Sequence, residues 1–88
     1  MISYRLEIFT PHGRVLSEKV LHASVPAEDG FVGVLANHAT YVTSSPGGNF
    51  EFRLPSGVTQ KLVVGPGFFR VAKNEAFFLA QSVKTPAL

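Results

Sequence analysis

Hydrophobic and polar residues alternate along much of this chain with a period of two. Tyr4, Leu6 and Ile8 share one side of the first alternating segment, and charged residues separate them. The same alternation recurs in residues 21–25 and 50–54. Because successive side chains of an extended chain point to opposite faces, this pattern predicts half-buried β-strands.

Glycine or proline interrupts the pattern every few residues, which leaves little room for a helix of ordinary length. Many short strands between such turns are typical of an all-β sandwich or barrel. Two hairpins are predicted, one from residues 50–54 with 58–64 and the other from 68–72 with 76–80. In the last of these strands the alternation assigns Phe77 and Leu79 to the apolar, core-facing side.

The composition narrows the class of protein. The chain has 88 residues, of which 45% are hydrophobic and 16% are charged. Such a chain fits a single domain and is too apolar to be disordered. The low charged fraction also predicts that part of the surface is buried against a partner. A formal net charge of +2 is too small to indicate nucleic-acid binding by itself.

Targeting and redox features are lacking in the sequence. Cysteine is absent, which excludes a disulfide framework and a thiolate metal site. No apolar run approaches the roughly 20 residues of a membrane-spanning helix. The alternating N-terminal segment does not resemble a signal peptide. We therefore expect membrane association through a partner and no direct insertion.

Neither a catalytic site nor a metal site is predicted. The histidines, His12, His22 and His38, have no carboxylates at ligand spacing on their own strand faces. The acidic pair at 28–29 lies in a turn, where neighbouring carboxylates do not converge on a substrate. The Gly-Pro-Gly segment at 65–67 lacks the Gly-Lys-Ser/Thr of a phosphate loop and is interpreted as a tight turn. We therefore expect a non-enzymatic protein without cofactors.

The most distinctive segment of the chain is residues 25–39, VPAEDGFVGVLANHA. Its Asp-Gly pair at 29–30 indicates a turn, because glycine adopts positive φ without a Cβ clash. A second glycine and a Val-Leu pair follow, so the segment is predicted to be a surface loop that returns to the core. This pattern resembles the P-x-x-x-G-x-x-G-V-L-x-x-H-A loop of the epsilon subunit of rotary F-type ATP synthases, which is called delta in mitochondria.

Four further segments resemble the same family in the same order. They are residues 6–15 with a T-P-x-G turn, a Pro-Gly turn at 46–47, the segment 64–71 and the strand 77–80. The chain departs from the family where Ala36 replaces the usual proline and Phe31 replaces a polar or acidic residue. Pro66 also interrupts the paired glycines. Five ordered segments make the resemblance specific, and they extend it over nearly the whole chain.

The resemblance implies a fold and its boundaries. It implies a flattened all-β sandwich of about ten short strands over residues 1–82, a short tail at 83–88 and no helical domain. Members of the family typically continue into a C-terminal helical hairpin that inhibits ATP hydrolysis, and some bind ATP there. These 88 residues leave no room for that hairpin. We expect a naturally short subunit that neither binds ATP nor inhibits hydrolysis in the usual way.

The resemblance also implies a function. It implies a non-catalytic rotor subunit at the foot of the central stalk of the F-type ATP synthase. Such a subunit links the gamma subunit to the ring of c subunits, and it couples proton or other ion translocation to ATP synthesis. We expect it on the cytoplasmic face of an energy-transducing membrane, in the first instance the bacterial inner membrane.

Two sets of contact residues follow from the resemblance. The expected c-ring contacts are Glu28, Asp29, Gly30, Phe31, Val32, Gly33 and His38. The expected gamma contacts are Thr10, Pro11, Thr40, Tyr41, Val42 and Thr43. Because Phe31 stands where the family has a polar residue, we expect its ring to insert between the loops of the c ring.

Two other functions stay open. Aromatic and basic residues interleave at 50–53 and 68–70, as in small β-barrels that stack single-stranded nucleic acid on exposed rings. Against this, Phe50, Phe52 and Phe69 fall on the predicted core face, and the basic residues are spread over many strands. A generic β-sandwich adaptor with another partner is the second alternative.

Overall fold

The computed structural model describes residues 2–36 and 38–85, with His38 described by its backbone alone. These residues form ten β-strands and no helix, which confirms the predicted all-β class. The strands are β1 Tyr4–Thr10, β2 Gly13–Val20, β3 His22–Ala27, β4 Gly30–Leu35, β5 His38–Ser45, β6 Gly48–Arg53, β7 Thr59–Val64, β8 Gly67–Lys73, β9 Glu75–Ala80 and β10 Val83–Lys84. Within the described ranges there is accordingly no helix that could cross a membrane.

The strands build two five-stranded sheets that enclose one core. Sheet A has the order β2-β1-β9-β8-β5, and sheet B has the order β10-β7-β6-β3-β4. Neighbouring strands are antiparallel except β1 and β9, which run parallel. The predicted β-sandwich is thereby confirmed, with extents of 30 × 29 × 25 Å.

Four phenylalanines fill the centre of the sandwich. Phe50 and Phe52 point inward from sheet B, and Phe69 and Phe78 meet them from sheet A. Phe50 and Phe78 pack edge to face, with ring centroids 5.6 Å apart and an interplanar angle of 89°. This geometry suits the aromatic quadrupole. Complete burial of one such side chain stabilises the fold by roughly 1.5–3 kcal/mol, so these rings are a main source of stability.

The alternation identified the buried face of β1 but not that of β9. In β1 the predicted apolar side is the buried side. In β9, Phe78 and its alanine neighbours are buried, whereas Phe77 and Leu79 lie on the outer face. The prediction for Phe77 and Leu79 was therefore wrong. Both faces of this strand are apolar in sequence, so polarity alone could not decide which one packs inward.

Both predicted hairpins are present. β6 pairs with β7, and β8 pairs with β9 across a two-residue turn at Lys73 and Asn74. Lys73 has a φ of 52°, the left-handed conformation that tight hairpin turns use. The Gly-Pro-Gly segment at 65–67 carries the chain from sheet B to sheet A. Val83–Lys84 pairs with β7, so sheet B continues beyond the expected boundary at residue 82.

The strand register gives the sandwich two ends. One end, here called the Glu28 end, carries the turns at 11–12, 28–29, 46–47, 65–66 and 81–82. The other, here called the Lys73 end, carries Leu21, the link between β4 and β5, and the turns at 54–58 and 73–74. Strands of six to eight residues separate the two ends, a distance of about 20–25 Å at roughly 3.3 Å per residue.

Candidate interaction surfaces

Glu28 and Asp29 form the exposed two-residue turn between β3 and β4. Directly behind the turn, Ala27 pairs with Gly30, whose φ of 119° is one that L-amino acids rarely adopt. The Glu28 carboxylate accepts a 2.8 Å hydrogen bond from the Ser44 hydroxyl near the end of β5. This bond ties the hairpin tip of sheet B to an edge strand of sheet A.

Phe31 is the main apolar group beside this turn. Its side chain is 65% exposed on β4, an edge strand of sheet B. Gly33 is exposed two positions further along, and Val32 between them packs partly against the core. Six of the seven predicted c-ring residues, those at 28–33, therefore form one continuous surface, which Val32 anchors from the inside.

His38 does not belong to that surface. Its backbone pairs with Lys73, which puts the position at the Lys73 end of the sandwich. Glu28 lies at the opposite end, and the whole of β4 separates the two positions. The structure therefore brings together the predicted c-ring residues at 28–33 but does not bring His38 to them.

Gly33 leaves room for a histidine of the neighbouring strand. A Cβ atom at Gly33 would lie 3.3 Å from Nε2 of His22. The His22 side chain therefore covers position 33, on the same outer face of sheet B that carries Phe31 and Leu35. The second glycine of the 25–39 segment thus has a packing reason, which the sequence alone could not supply because it depends on the β3–β4 register.

The predicted gamma contacts fall in two places on sheet A. Thr10 and Pro11 lie at the turn between β1 and β2, where the Thr10 hydroxyl accepts a 3.2 Å hydrogen bond from the His12 N–H. Residues 40–43 lie in β5, and Val42 is exposed there. Because β9 and β8 separate β1 from β5, the surface of those two strands must join the two places.

That intervening surface is apolar, and the sequence reasoning missed it. The register aligns Phe9 with Leu79 and Leu79 with Phe68 across three strands. Phe68 is 59% exposed and Leu79 is 47% exposed. Phe77 packs edge to face on Phe9 at 6.4 Å, and the Arg70 guanidinium carbon lies 6.0 Å from the centre of its ring. We call Phe9, Phe68, Phe77 and Leu79 the apolar face of sheet A.

A concavity of about 530 Å³ opens where the apolar face reaches the Glu28 end. Phe9, Phe68 and Leu79 line it together with Pro11 and Pro66. Pockets of this size with mostly apolar walls accept the bulky anchor side chains on which protein interfaces depend. The concavity also borders Thr10, so one part of the predicted gamma set adjoins the apolar face directly.

Charged side chains lie beside these surfaces in weak ion pairs. Arg14 and Glu7 are 3.0 Å apart at one side of sheet A, and Lys61 and Glu51 are 3.9 Å apart on sheet B. Exposed pairs of this kind stabilise a fold by at most about 1 kcal/mol. The described ranges contain no group of three or more side chains arranged to hold a metal ion.

Residues 3–86 match a family model described as ATP synthase, Delta/Epsilon chain, beta-sandwich domain. The chain belongs to this delta/epsilon family. The resemblance seen in the sequence is thereby confirmed. Among its relatives, the ATP synthase epsilon chain of Pelotomaculum thermopropionicum is 40% identical over 80 residues, and that of a Nitratiruptor species is 33% identical over 81 residues.

This delta/epsilon chain spans about three fifths of the length of the curated relatives it matches. The aligned regions cover 91% of it and 59% of the Pelotomaculum protein, and 92% of it and 63% of the Nitratiruptor protein. The match therefore concerns the β-sandwich part of those proteins.

Two solved structures contain chains with the fold of this family member. A chain from the Euglena gracilis mitochondrial ATP synthase has a TM-score of 0.89 and 21% identity, covering 94% of this chain and 53% of its own length. A chain from the central stalk and c-ring structure of the Tetrahymena thermophila mitochondrial ATP synthase has a TM-score of 0.76 and 11% identity, covering 92% and 65%. At such identities the similarity establishes the fold alone.

The delta/epsilon sandwich also bears on the nucleic-acid alternative. Phe50, Phe52 and Phe69 are buried in the core, so their rings cannot stack on bases. Phe68 is exposed, but it belongs to a row of apolar side chains and not to a basic groove. The interleaving of aromatic and basic residues in the sequence therefore reflects the two faces of ordinary strands.

Proposed function

We propose that this delta/epsilon-family domain is a non-catalytic subunit of the central stalk of a rotary ATP synthase. The observation that carries the proposal is the family match over residues 3–86. The sandwich supports it by offering two separate contact surfaces. One is the apolar face of sheet A. The other is residues 28–33 of sheet B, the turn at 28–29 with the first part of β4, which we call the 28–33 turn. We assign the first to the gamma subunit and the second to the ring of c subunits.

The apolar face suits a permanent partner. Aromatic and large aliphatic side chains dominate the cores of stable interfaces, and exposed apolar patches mark interaction sites. Phe68 and Leu79 together with the adjoining concavity give gamma an anchoring point, and Thr10 and Pro11 lie at its rim. Residues 40–43 extend the contact along β5 through the exposed Val42.

The 28–33 turn suits a more polar contact with the c ring. Glu28 and Asp29 expose two carboxylates, and Phe31 exposes an aromatic ring beside them. Rim charges set orientation and association rate more than affinity, whereas an inserted aromatic ring contributes buried area. We therefore propose that Glu28 and Asp29 orient the domain on the c ring and that Phe31 supplies buried contact area. For His38, at the other end of β4, a ring contact stays a prediction.

The mechanical role requires a body that does not deform under torque. Two hydrogen-bonded sheets around a dense core meet this requirement, because packed protein interiors have low compressibility. With gamma on one surface and the c ring on the other, the domain makes the two turn as one rotor. Ion translocation through the membrane sector is thereby coupled to ATP synthesis. The subunit then lies peripherally on the cytoplasmic face of an energy-transducing membrane, which in bacteria is the inner membrane.

Co-purification from the natural host tests the proposal. The chain carries a C-terminal affinity tag and is recovered from mildly solubilised membranes. We expect gamma, the catalytic subunits and the c ring in stoichiometric yield. A soluble protein that brings down none of them would contradict the rotor assignment and leave the adaptor alternative.

Matched variants separate the two surfaces. Phe68→Ser removes an exposed ring from the apolar face, whereas Val63→Ser removes an exposed apolar side chain from sheet B. We expect the first variant to lose gamma during washing and the second to retain it. If both variants retain gamma equally, the apolar face does not form the gamma contact.

A further inference from the structure

The four edge strands of the sandwich differ in how they are protected against pairing with another chain. In sheet A, edge strand β2 carries charged residues, and its pairing with β1 is interrupted by a register shift. In sheet B, edge strand β10 has only two residues, and the part of β7 that extends beyond it, residues 59–62, carries Lys61. Charges, bulges and short length are the devices by which proteins prevent edge-to-edge association. The remaining edges, β5 and β4, therefore need separate consideration.

Edge strand β5 is partly protected by irregular geometry. Its pairing with β8 shifts register between His38 and Tyr41. Edge strand β4 has no such feature, because its six residues pair with β3 in one unbroken register. The sequence of β4, GFVGVL, contains neither a charged residue nor a proline. Of the described edges, β4 is thus the regular, uncharged one.

The exposed side chains of β4 are also apolar. Phe31 is 65% exposed and Leu35 is 53% exposed, both on the outer face of sheet B. Because β4 is paired with β3 on one side only, alternate residues present their backbone N–H and C=O groups at the open side. The edge thus combines unpaired backbone with two large apolar groups.

The strand is complementary to itself. In an antiparallel pair of two β4 strands related by a two-fold axis at Gly33, Phe31 of each copy lies opposite Leu35 of the other. Val32 of each copy then lies opposite Val34 on the inner face. No charged pair forms between the two β4 strands, and Gly33 of each copy, with the His22 side chain of β3 beside it, lies at the axis. Cross-strand pairs of aromatic and aliphatic residues are favourable.

We propose that the unassembled protein forms a two-fold dimer in which the β4 edges of two copies join their B sheets into one continuous sheet. Such an interface is isologous and closed, so it stops at two copies instead of growing into a fibre. It places the Leu35 side chain of the other copy beside Phe31, which is largely exposed in the single chain. The inference stands on the edge geometry and is independent of the assignment to the central stalk.

Sedimentation equilibrium over a wide concentration range tests the dimer, with three charge-introducing variants compared. Phe31→Lys acts at the β4 edge, Val15→Lys acts at the β2 edge, and Phe68→Lys acts on the apolar face of sheet A. We expect the wild type to dimerise reversibly and Phe31→Lys to raise the dissociation constant by about tenfold, because two symmetry-related pairs are lost together. The other two variants should dimerise like the wild type.

A cysteine pair tests the register. The chain has no cysteine of its own, so Phe31→Cys combined with Leu35→Cys introduces the only thiols. Within one chain these positions are about 13 Å apart along the strand, too far for a disulfide. Under mild oxidation we expect a disulfide-linked dimer from the double variant and none from either single variant.

Three results would overturn the proposal. A wild type that stays monomeric throughout the concentration range removes the dimer itself. If Phe68→Lys dissociates the dimer and Phe31→Lys does not, the dimer interface lies on the apolar face of sheet A. Failure of the double cysteine variant to cross-link, while it still dimerises in reducing conditions, excludes the register centred on Gly33. Far-UV circular dichroism of each variant shows whether the β-sandwich is retained.

Discussion

The Tyr4 hydroxyl of sheet A donates a buried 2.8 Å hydrogen bond to the Val34 carbonyl of sheet B. Tyr4 is 2% exposed, and Val34 is fully buried. The bond therefore spans the interior and ties β1 to the edge strand that carries the 28–33 turn. Since β1 also supplies Phe9 to the apolar face, the two proposed contact surfaces are connected through the core as well as through the chain.

Removing this hydroxyl should weaken the fold without disturbing its shape. We predict that Tyr4→Phe lowers the free energy of unfolding by about 1 kcal/mol, the typical net contribution of a buried hydrogen bond. Urea denaturation followed by circular dichroism measures the change. Ser56→Ala, which removes a hydroxyl from an exposed turn, serves as the control and should change stability by less than about 0.5 kcal/mol. A Tyr4→Phe protein as stable as the wild type would show that this hydrogen bond contributes nothing to the free energy of unfolding.

The same hydroxyl predicts a loss of stability at alkaline pH. Burial raises the pKa of Tyr4 above its ordinary value of 10.0. The folded state therefore holds the phenol proton at pH values where the unfolded chain has released it. The contribution of this group is complete below about pH 10 and is lost as the pH rises above it, by up to about 1.4 kcal/mol per pH unit.

Stability curves recorded against pH test this prediction. The informative quantity is the difference between wild type and Tyr4→Phe, because every other titrating group is common to the two proteins. We expect the wild type to lose stability more steeply above pH 10 than the variant. Parallel curves for the two proteins would mean that the pKa of the Tyr4 phenol is the same in the folded and unfolded states.

Phe31 should matter for assembly and not for folding. Because its side chain is largely exposed, we predict that Phe31→Ser changes the free energy of unfolding of the monomer by less than about 0.5 kcal/mol, measured at a protein concentration too low for dimers to form. In membranes that contain the variant, ATP synthesis driven by an ion gradient should fall relative to ATP hydrolysis. A matching drop in melting temperature would instead identify Phe31 as part of the core.

Gly67 should be intolerant of any side chain. A Cβ atom there would collide with the carbonyl oxygen of Leu79 and lie 2.7 Å from its carbonyl carbon. Because the obstacle is backbone of a paired strand, it cannot move aside, and we predict that Gly67→Ala costs more than about 3 kcal/mol. At Gly33 the neighbour is the His22 side chain, which can rotate away. Gly33→Ala is therefore the control, and urea denaturation of the two variants should show a much smaller loss for it.

The sequence was sufficient for most of the fold because the strand pattern and the turn residues agree. The period of two and the breaks at glycine and proline located the strands and both hairpins. The family resemblance supplied the two-sheet arrangement. It could not supply the register of β3 against β4, so the packing of His22 over Gly33 and the exposure of the β4 edge emerged only from the structure.

The candidate site was less predictable for a related reason. A surface that spans several strands, such as Phe9, Leu79 and Phe68, is not contiguous in sequence and depends on which face of each strand is outward. The position of His38 shows the same limit. It follows the 28–33 turn closely in sequence, yet a full strand carries it to the other end of the sandwich.

The outward face of β9 can be tested with two neighbouring phenylalanines. Phe78 packs against Phe50 and Phe69 in the core, whereas Phe77 rests on the surface beside Phe9. We predict that Phe78→Ala costs about 3–5 kcal/mol, the usual range for a buried ring. This is comparable with the whole stability of a small domain. Phe77→Ala should cost clearly less, about 1–2 kcal/mol, because its ring is only partly buried and loses mainly one edge-to-face contact.

Thermal and urea unfolding of the two variants decide between the faces. If β9 had the orientation expected from simple alternation, the larger loss would come from Phe77→Ala. The variants should differ in binding as well as in stability. Phe77→Ala keeps the fold but alters the apolar face, so it should weaken gamma retention. A small loss of stability together with weaker gamma retention in Phe77→Ala would support both the outward orientation of Phe77 in β9 and the proposed gamma contact.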